Sequence, residues 1–201
     1  MSLREKKAEK KKEEIIQSAL SIIAEKGYHA TTMEDIAAKL LMTKGSVYYY
    51  FKDKQDLLFK SQKMLLEQSI QNIEEIMAEA LPITKKLQKV MVVHTDFLIT
   101  ERTGFAMGAR PDQFFVGEQL KEVISLRQKY SHYIDNLITQ GIDSGYFVEV
   151  DIKIVRNIIL GAMNYVIDWY SPEGSKNKNQ LAKSISDYLL RILIKDPGTI
   201  D

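Results

Sequence analysis

Lys44, Gly45, Ser46, Tyr48 and Tyr49 put an ammonium, three hydroxyls and a residue without a side chain into one stretch, TKGSVYYYF, from Thr43 to Phe51. No base, acid or second nucleophile stands beside them at a spacing that gives either a catalytic role. What they offer is hydrogen bonding and charge neutralisation. Donors on a helix, with a glycine where a partner's backbone or base edge comes closest, suit a nucleic acid. Lys44 and Ser46 are the candidates for base edges. Thr32, Tyr48, Tyr49 and Lys54 are the candidates for phosphates, and Thr43 and Gly45 complete the set. Three consecutive tyrosines on a helix point in three directions, so at least one must be exposed. The competing reading of Tyr48–Phe51 is a core-facing aromatic cluster.

The elements that must hold these residues are short. Thr32, with Asp35 three residues on, predicts a capped helix whose apolar face is Ile36, Ala37 and Leu40. Thr43 caps a second helix over Lys44–Tyr50, with Val47 and Phe51 facing inward. Helices of this length lean on neighbours, and the pair reads as a helix-turn-helix. The support is a first helix with the stripe Ile15, Ile16, Ala19, Leu20, Ile22 and Ile23, closed by Gly27 as a left-handed cap. Ahead of it, residues 2–14 alternate Lys/Arg with Glu. They read as a solvated helical extension, or as a flexible basic arm reaching phosphates or a minor groove.

Thr32 with Ile36-Ala37, then Thr43-Lys44-Gly45-Ser46-Val47-Tyr48-Tyr49-Tyr50-Phe51, then Lys54 with Asp56-Leu57-Leu58, resembles the DNA-binding domain of TetR/AcrR-type transcriptional repressors. There is one departure. Leu40-Leu41-Met42 stands where that family commonly has Ala-Gly-Val, so Leu41 replaces a turn glycine and strain is expected there. The resemblance implies a homodimer that pairs through its last two long helices. It also implies release from DNA when a small, often hydrophobic effector binds.

The whole chain has 201 residues and a net charge of +1, with no cysteine. It has room for a useful core, no disulfide framework and no thiolate metal site. Residues 1–54 carry eleven Lys/Arg and eight Asp/Glu, a net +3 that leaves −2 for the remainder. No apolar run approaches a membrane span and the N-terminus lacks an apolar signal segment, so the expected location is the cytoplasm. No phosphate loop, zinc-binding His-Glu-x-x-His, nucleophile elbow or catalytic cysteine is present, and no cofactor or metal is expected. The expected fold is all-α, with about nine helices. Residues 1–54 form a three-helix DNA-binding domain with a basic N-terminal arm, and residues 55–201 a larger ligand-binding and dimerisation domain.

In that larger part Asp53 caps a long fourth helix, taken as the single element common to both domains, with Lys54 in its first turn. A lysine there opposes the macrodipole, which a nearby phosphate would offset. Pro82 starts the next helix, Gly145 ends a long one, and Asp151 caps another. An apolar effector pocket is expected among the fourth, fifth, seventh and eighth helices. Its candidate lining is His94, Phe97, Phe105, Met107, Phe114, Tyr133, Asn164, Tyr165 and Trp169, and core packing competes for each. The scattered Arg127, Tyr130, Gly141, Gly145, Gly161 and Trp169 look most like relatives that answer to fatty-acyl or other CoA thioesters. The helix near Ile152–Tyr170 is apolar on more than one face. Val155, Ile159, Met163, Val166, Ile185 and Leu189 are the dimerisation candidates. The partners implied are double-stranded operator DNA, a small hydrophobic effector and a second copy of the chain. The alternatives are a helical ligand-binding or interaction protein without specific DNA readout, and an architectural nucleic-acid binder, which would need far more positive charge.

Overall fold

The structure, a computed structural model, describes residues 2–195; residue 1, which opens the first expected domain, and residues 196–201, which close the second, lie outside the described residues. Nine α-helices follow one another among those residues: α1 (Leu3–Lys26), α2 (Met33–Lys39), α3 (Lys44–Tyr48), α4 (Lys54–Ala78), α5 (Ile83–Thr100), α6 (Arg102–Gly108), α7 (Gly117–Asp143), α8 (Ile152–Asn164) with a one-turn continuation at Val166–Trp169, and α9 (Lys178–Leu190). A 3-10 turn at Pro111–Gln113 lies between α6 and α7. The chain packs as two compact units. The first takes in the residues up to Met64 together with Thr103–Lys121, and the second takes in Leu65–Arg102 and the residues from Glu122 on. The expected division after residue 54 therefore differs from the packing division, which falls inside α4. Nor is α4 the single shared element, because α7 also passes from one unit to the other, after Lys121.

In the first unit the helix starts are those that the side chains specify. Thr32 accepts from the Asp35 N–H while the Asp35 carboxylate accepts from the Thr32 N–H, a reciprocal cap. Hydrogen bonds from the Thr32 hydroxyl and backbone, and then Lys26, hold the Asp35 carboxyl down at about 2. Thr43 caps α3 and the Asp53 carboxylate accepts from the Asp56 N–H at the start of α4. One small core joins the elements: Ile15, Ile16, Ala19, Leu20 and Ile22 of α1 meet Met33, Ile36 and Ala37 of α2, Val47 of α3, Phe51 and Leu57. Gly27 ends α1 at φ 85°, ψ 156°, an extended conformation open to glycine and not the left-handed helical cap expected.

Residues 2–14 are not a loose arm. A Ser2–Glu5 capping box starts α1 at its first residues, and the helix runs unbroken into its buried half, whose first core residue is Ile15. In the same unit, the Gln62 amide donates to Gly104 O at 2.5 Å. A Cβ at Gly108 would fall on that same carboxamide, so α6 lies against α4 where both glycines are bare. Phe115 is fully buried against Phe59, and Phe114 packs edge-on to Tyr28, ring centres 5.1 Å apart.

The second unit is a layered helix bundle. α5 and α9 lie side by side, tied by Gln88 to Asp187 at 2.7 Å and by Lys178 to Asp96 at 3.1 Å. Arg156 on α8 pairs with Asp135 on α7 at 2.7 Å. A Cβ at Gly141 would strike the Phe147 ring, so this glycine has a packing reason. Gly145 (φ 76°) turns the chain after α7, as expected, and an isolated bridge joins Phe147 to Ile194. His94 sits in this core. Its Nε2 lies 3.1 Å from Asn164 Oδ1, and its ring stacks on Tyr130 at 5.1 Å. Burial depresses its pKa to about 4, against a smaller opposing effect of Asn164.

Leu41 is the one non-glycine with positive φ among the described residues, at 54°, and its side chain is 97% exposed. The backbone strain is thus uncompensated by packing. Leu41→Gly should raise stability by about 1 kcal/mol, the left-handed cost less the extra freedom of glycine in the unfolded chain. Denaturant unfolding measures this, and an unchanged or lower midpoint would contradict it. His94 folds neutral, with its pKa below the usual 6.5, so the unfolded chain binds the extra proton in that range. Its contribution is fully present above about pH 6.5 and is lost as pH falls toward 4, up to about 3 kcal/mol. In urea titrations over that window, His94→Gln should flatten the stability loss relative to the unaltered chain.

Candidate nucleic-acid interface

α3 has two sides. Val47 and then Phe51 are buried, while Lys44, Gly45, Tyr48 and Tyr49 are exposed. Tyr49 is 76% exposed and Tyr50 packs against it edge-on at 5.0 Å. The hydroxyls of Tyr48 and Tyr49 make no hydrogen bond among the described residues. Gly45 has nothing within 4 Å of where a Cβ would stand, and its φ is not positive. A glycine inside a helix costs up to about 1 kcal/mol relative to alanine, and no group of this unit requires it. The space it leaves faces outward.

The remaining sequence candidates are more engaged than their types suggested. Lys44 is ion-paired with Glu34 of α2 and lies 5.6 Å from the Tyr48 ring centre. The hydrogen bond to Lys44 lowers the Glu34 pKa, and its counterpart raises that of Lys44. Glu34 was not a sequence candidate. Ten residues separate it from Lys44, beyond any local spacing rule, so only the packing of α2 against α3 brings them together. Ser46 is half-buried, and its hydroxyl shares a hydrogen bond with Thr43 at 2.7 Å. The Thr32 hydroxyl donates to Asp35 Oδ2 at 2.7 Å.

Lys54 is placed differently from the phosphate contact expected of it. Its Nζ donates to Tyr28 O at 2.5 Å, Thr31 O at 2.6 Å and His29 O at 3.4 Å, and sits 4.3 Å from the Tyr28 ring centre. An ammonium has three protons, and three carbonyls of the α1–α2 link take them. Partial negative charge on those carbonyls offsets the unfavourable position in α4's first turn. Burial lowers its pKa. The geometry makes Lys54 a clamp on the link that leads into α2.

The pocket candidates do not assemble into one lining. His94 and Phe97 border a cavity of about 10 Å³, with Ser69, Asn72, Ile73 and Ile76 of α4, Val90 and Val93 of α5 and Tyr130 of α7. That is room for about one water, and Asn164 reaches it only through His94. Phe105, Met107 and Phe114 belong to the first unit. Tyr133 lies along an open depression on α7 and donates to Glu74. Tyr165 and Trp169 are 63% and 50% exposed.

Most of the dimerisation candidates turn toward the interior of the single chain. Val155, Ile159, Met163, Val166 and Leu189 are buried within the single chain, and Ile185 is half-buried. The apolar side chains left outside on the same elements are Ile154, Ile158, Tyr165, Trp169 and Tyr188, with Ile192 in the turn just after α9. Gly161 stands among them with no atom within 4 Å of a built Cβ. The double apolar face of α8 was the available signal, but it did not say which face turns inward. Among the described residues no cluster of acidic and histidine side chains is set to hold a metal ion, and no helix is long and apolar enough to cross a membrane.

Comparison with known proteins matches residues 15–60 to the tetR family of bacterial regulatory proteins and residues 80–193 to the tetracyclin repressor-like C-terminal domain. The fatty acid metabolism regulator protein of Bacillus subtilis is 26% identical, over 88% of this chain and 92% of its own. The crystal structure of FadR from Bacillus subtilis in complex with stearoyl-CoA is 26% identical with a TM-score of 0.73, covering 89% of this chain and 97% of that one. AibR in complex with isovaleryl coenzyme A and operator DNA has the same fold at 22% identity, with a TM-score of 0.77 over 89% and 97%. With both units matched, and the second match alone spanning more than half of its residues, this chain belongs to the TetR family of transcriptional regulators.

Proposed function

We propose that the protein is a homodimeric, sequence-specific DNA-binding repressor of the cytoplasm. A small hydrophobic effector of the acyl-CoA type releases it from a palindromic operator. The observation that carries the reading is Gly45. It is an outward-facing glycine inside a helix, without an internal reason, flanked by Lys44, Tyr48 and Tyr49. A helix presented this way enters a major groove with its first residues at base edges. Lys44 and Ser46 then read bases, and Thr32, Thr43, Tyr48 and Tyr49 meet phosphates. Lys54 positions the link into α2. Glu34 holds Lys44 extended, and it either yields the lysine to a base or keeps it aimed there.

Two copies place two recognition helices about 34 Å or a multiple apart. The outer stripe of α8 and the end of α9 supports this, because an exposed apolar row with a bare glycine suits close approach of a second helix. For the effector, the support is the mixed lining around His94 together with the named ligand of the FadR relative. A site for such a molecule measures about 300–1,000 Å³, so binding must part α4, α5 and α7 from the packing described. The effector shifts DNA affinity only by its preference for that opened form.

Selection from random duplexes at two salt concentrations should yield a palindrome bound by the unaltered protein. Gly45→Ala should raise thermal stability while weakening that complex at least tenfold. Unchanged operator affinity in this variant would remove Gly45 from the interface, and absence of any sequence preference would end the repressor reading. Adding stearoyl-CoA should release the DNA; a stabilised protein with unaltered operator affinity would defeat the coupling. Sedimentation should give a dimer for the unaltered chain and a folded monomer for Ile158→Asp. Val166→Asp, aimed at the core, should unfold instead.

A further inference from the structure

No residue in the first three turns of α1 is fully buried, yet they are helical from a dedicated capping box at Ser2 and Glu5. They need no nucleus of their own, because they continue a helix whose other half is anchored in the core. Their charges are sorted by face with one exception, Glu14, which falls on the basic side beside Lys10 and Lys11. At 3.6 residues per turn, Arg4, Lys7 and Lys11 fall in line and Lys6 and Lys10 run beside them. Glu5, Glu9 and Glu13, four apart, occupy the opposite side. Lys12 borders the acidic side and is paired with Glu9 at 3.0 Å, and Lys11 with Glu14 at 2.9 Å. Arg4, Lys6 and Lys7 make no ion pair among the described residues, and Lys10 has only a longer-range attraction to Glu14. All four are exposed.

We propose that this basic face is a second DNA contact, laid along the phosphate backbone outside the groove that α3 reads; the proposal rests on the DNA-binding reading above. Charge complementarity selects the occupant. The extension is about 18 Å long, a length over which duplex DNA presents about ten phosphates. Its form excludes the other DNA site, since a helix about 10–12 Å across does not enter a minor groove about 6 Å wide. The acidic face turned away from the duplex keeps the segment from binding other polyanions on all sides.

The test uses the full chain with Arg4→Gln, Lys6→Gln, Lys7→Gln and Lys10→Gln combined. Glutamine keeps helix propensity and leaves the cap intact, and circular dichroism checks that the helix remains. The plot of log affinity against log salt should lose about three to four units of slope. The loss should be equal on the operator and on scrambled duplex, with affinity at low salt down at least tenfold. The double variant Glu9→Gln, Glu13→Gln on the opposite face should leave the slope where it was. An unchanged slope in the quadruple variant, with operator binding by the unaltered protein intact, overturns the proposal. A loss confined to duplexes with A·T-rich flanks overturns it in favour of minor-groove reading. Failure of the unaltered protein to bind any duplex instead overturns the repressor reading beneath it.

Discussion

A helix of five residues has no stability of its own in water, and α3 is that short. Its position depends on Val47 and on Phe51 just beyond it, both buried in a core supplied mainly by α1 and α2. Everything presented on the outer side of α3 inherits its direction from that burial. The caps at Thr32, Thr43 and Asp53 fix where each helix begins, so the small core is assembled in one register. The cost of this economy is visible at Leu41, where a tight connection forces a left-handed residue that nothing packs against.

Charge in the first unit is arranged around the same constraint. Lys54 would be badly placed at the start of α4 without compensation, and the carbonyls of Tyr28, Thr31 and His29 provide it. That clamp orders the link leading into α2 and so supports the same core. Lys44, by contrast, is exposed and paired with an exposed glutamate. Surface ion pairs of this kind contribute little stability, because solvent screens both charges. Their use is orientation, and the pair is weak enough to yield to a stronger partner.

The second unit is built for packing first. The cavity beside His94 is small, and the histidine is neutral because burial penalises its charged form. Polar groups kept inside such a core need partners, and Asn164 and the Tyr130 ring are the ones His94 has. An effector that entered there, as proposed, would replace those contacts and so connect ligand affinity to the integrity of the bundle.

The sequence by itself determined the all-helical class, the helix-turn-helix, the caps at Thr32, Thr43, Asp53 and Asp151, the inward Val47 and Phe51, and the strain at Leu41. These are local matters, decided within three or four residues by hydrogen bonds, periodicity and backbone sterics. Only the tertiary structure decided which apolar face of α8 turns inward, because Val155–Ile159–Met163 and Ile154–Ile158–Ala162 are equally good stripes until a neighbour covers one. The same holds for Phe105 and Phe114, which left the expected pocket for the first unit, and for Lys44 and Lys54, whose partners lie ten and more than twenty residues away. Contacts at that separation depend on how finished helices pack, and no pattern along the chain encodes them one residue at a time.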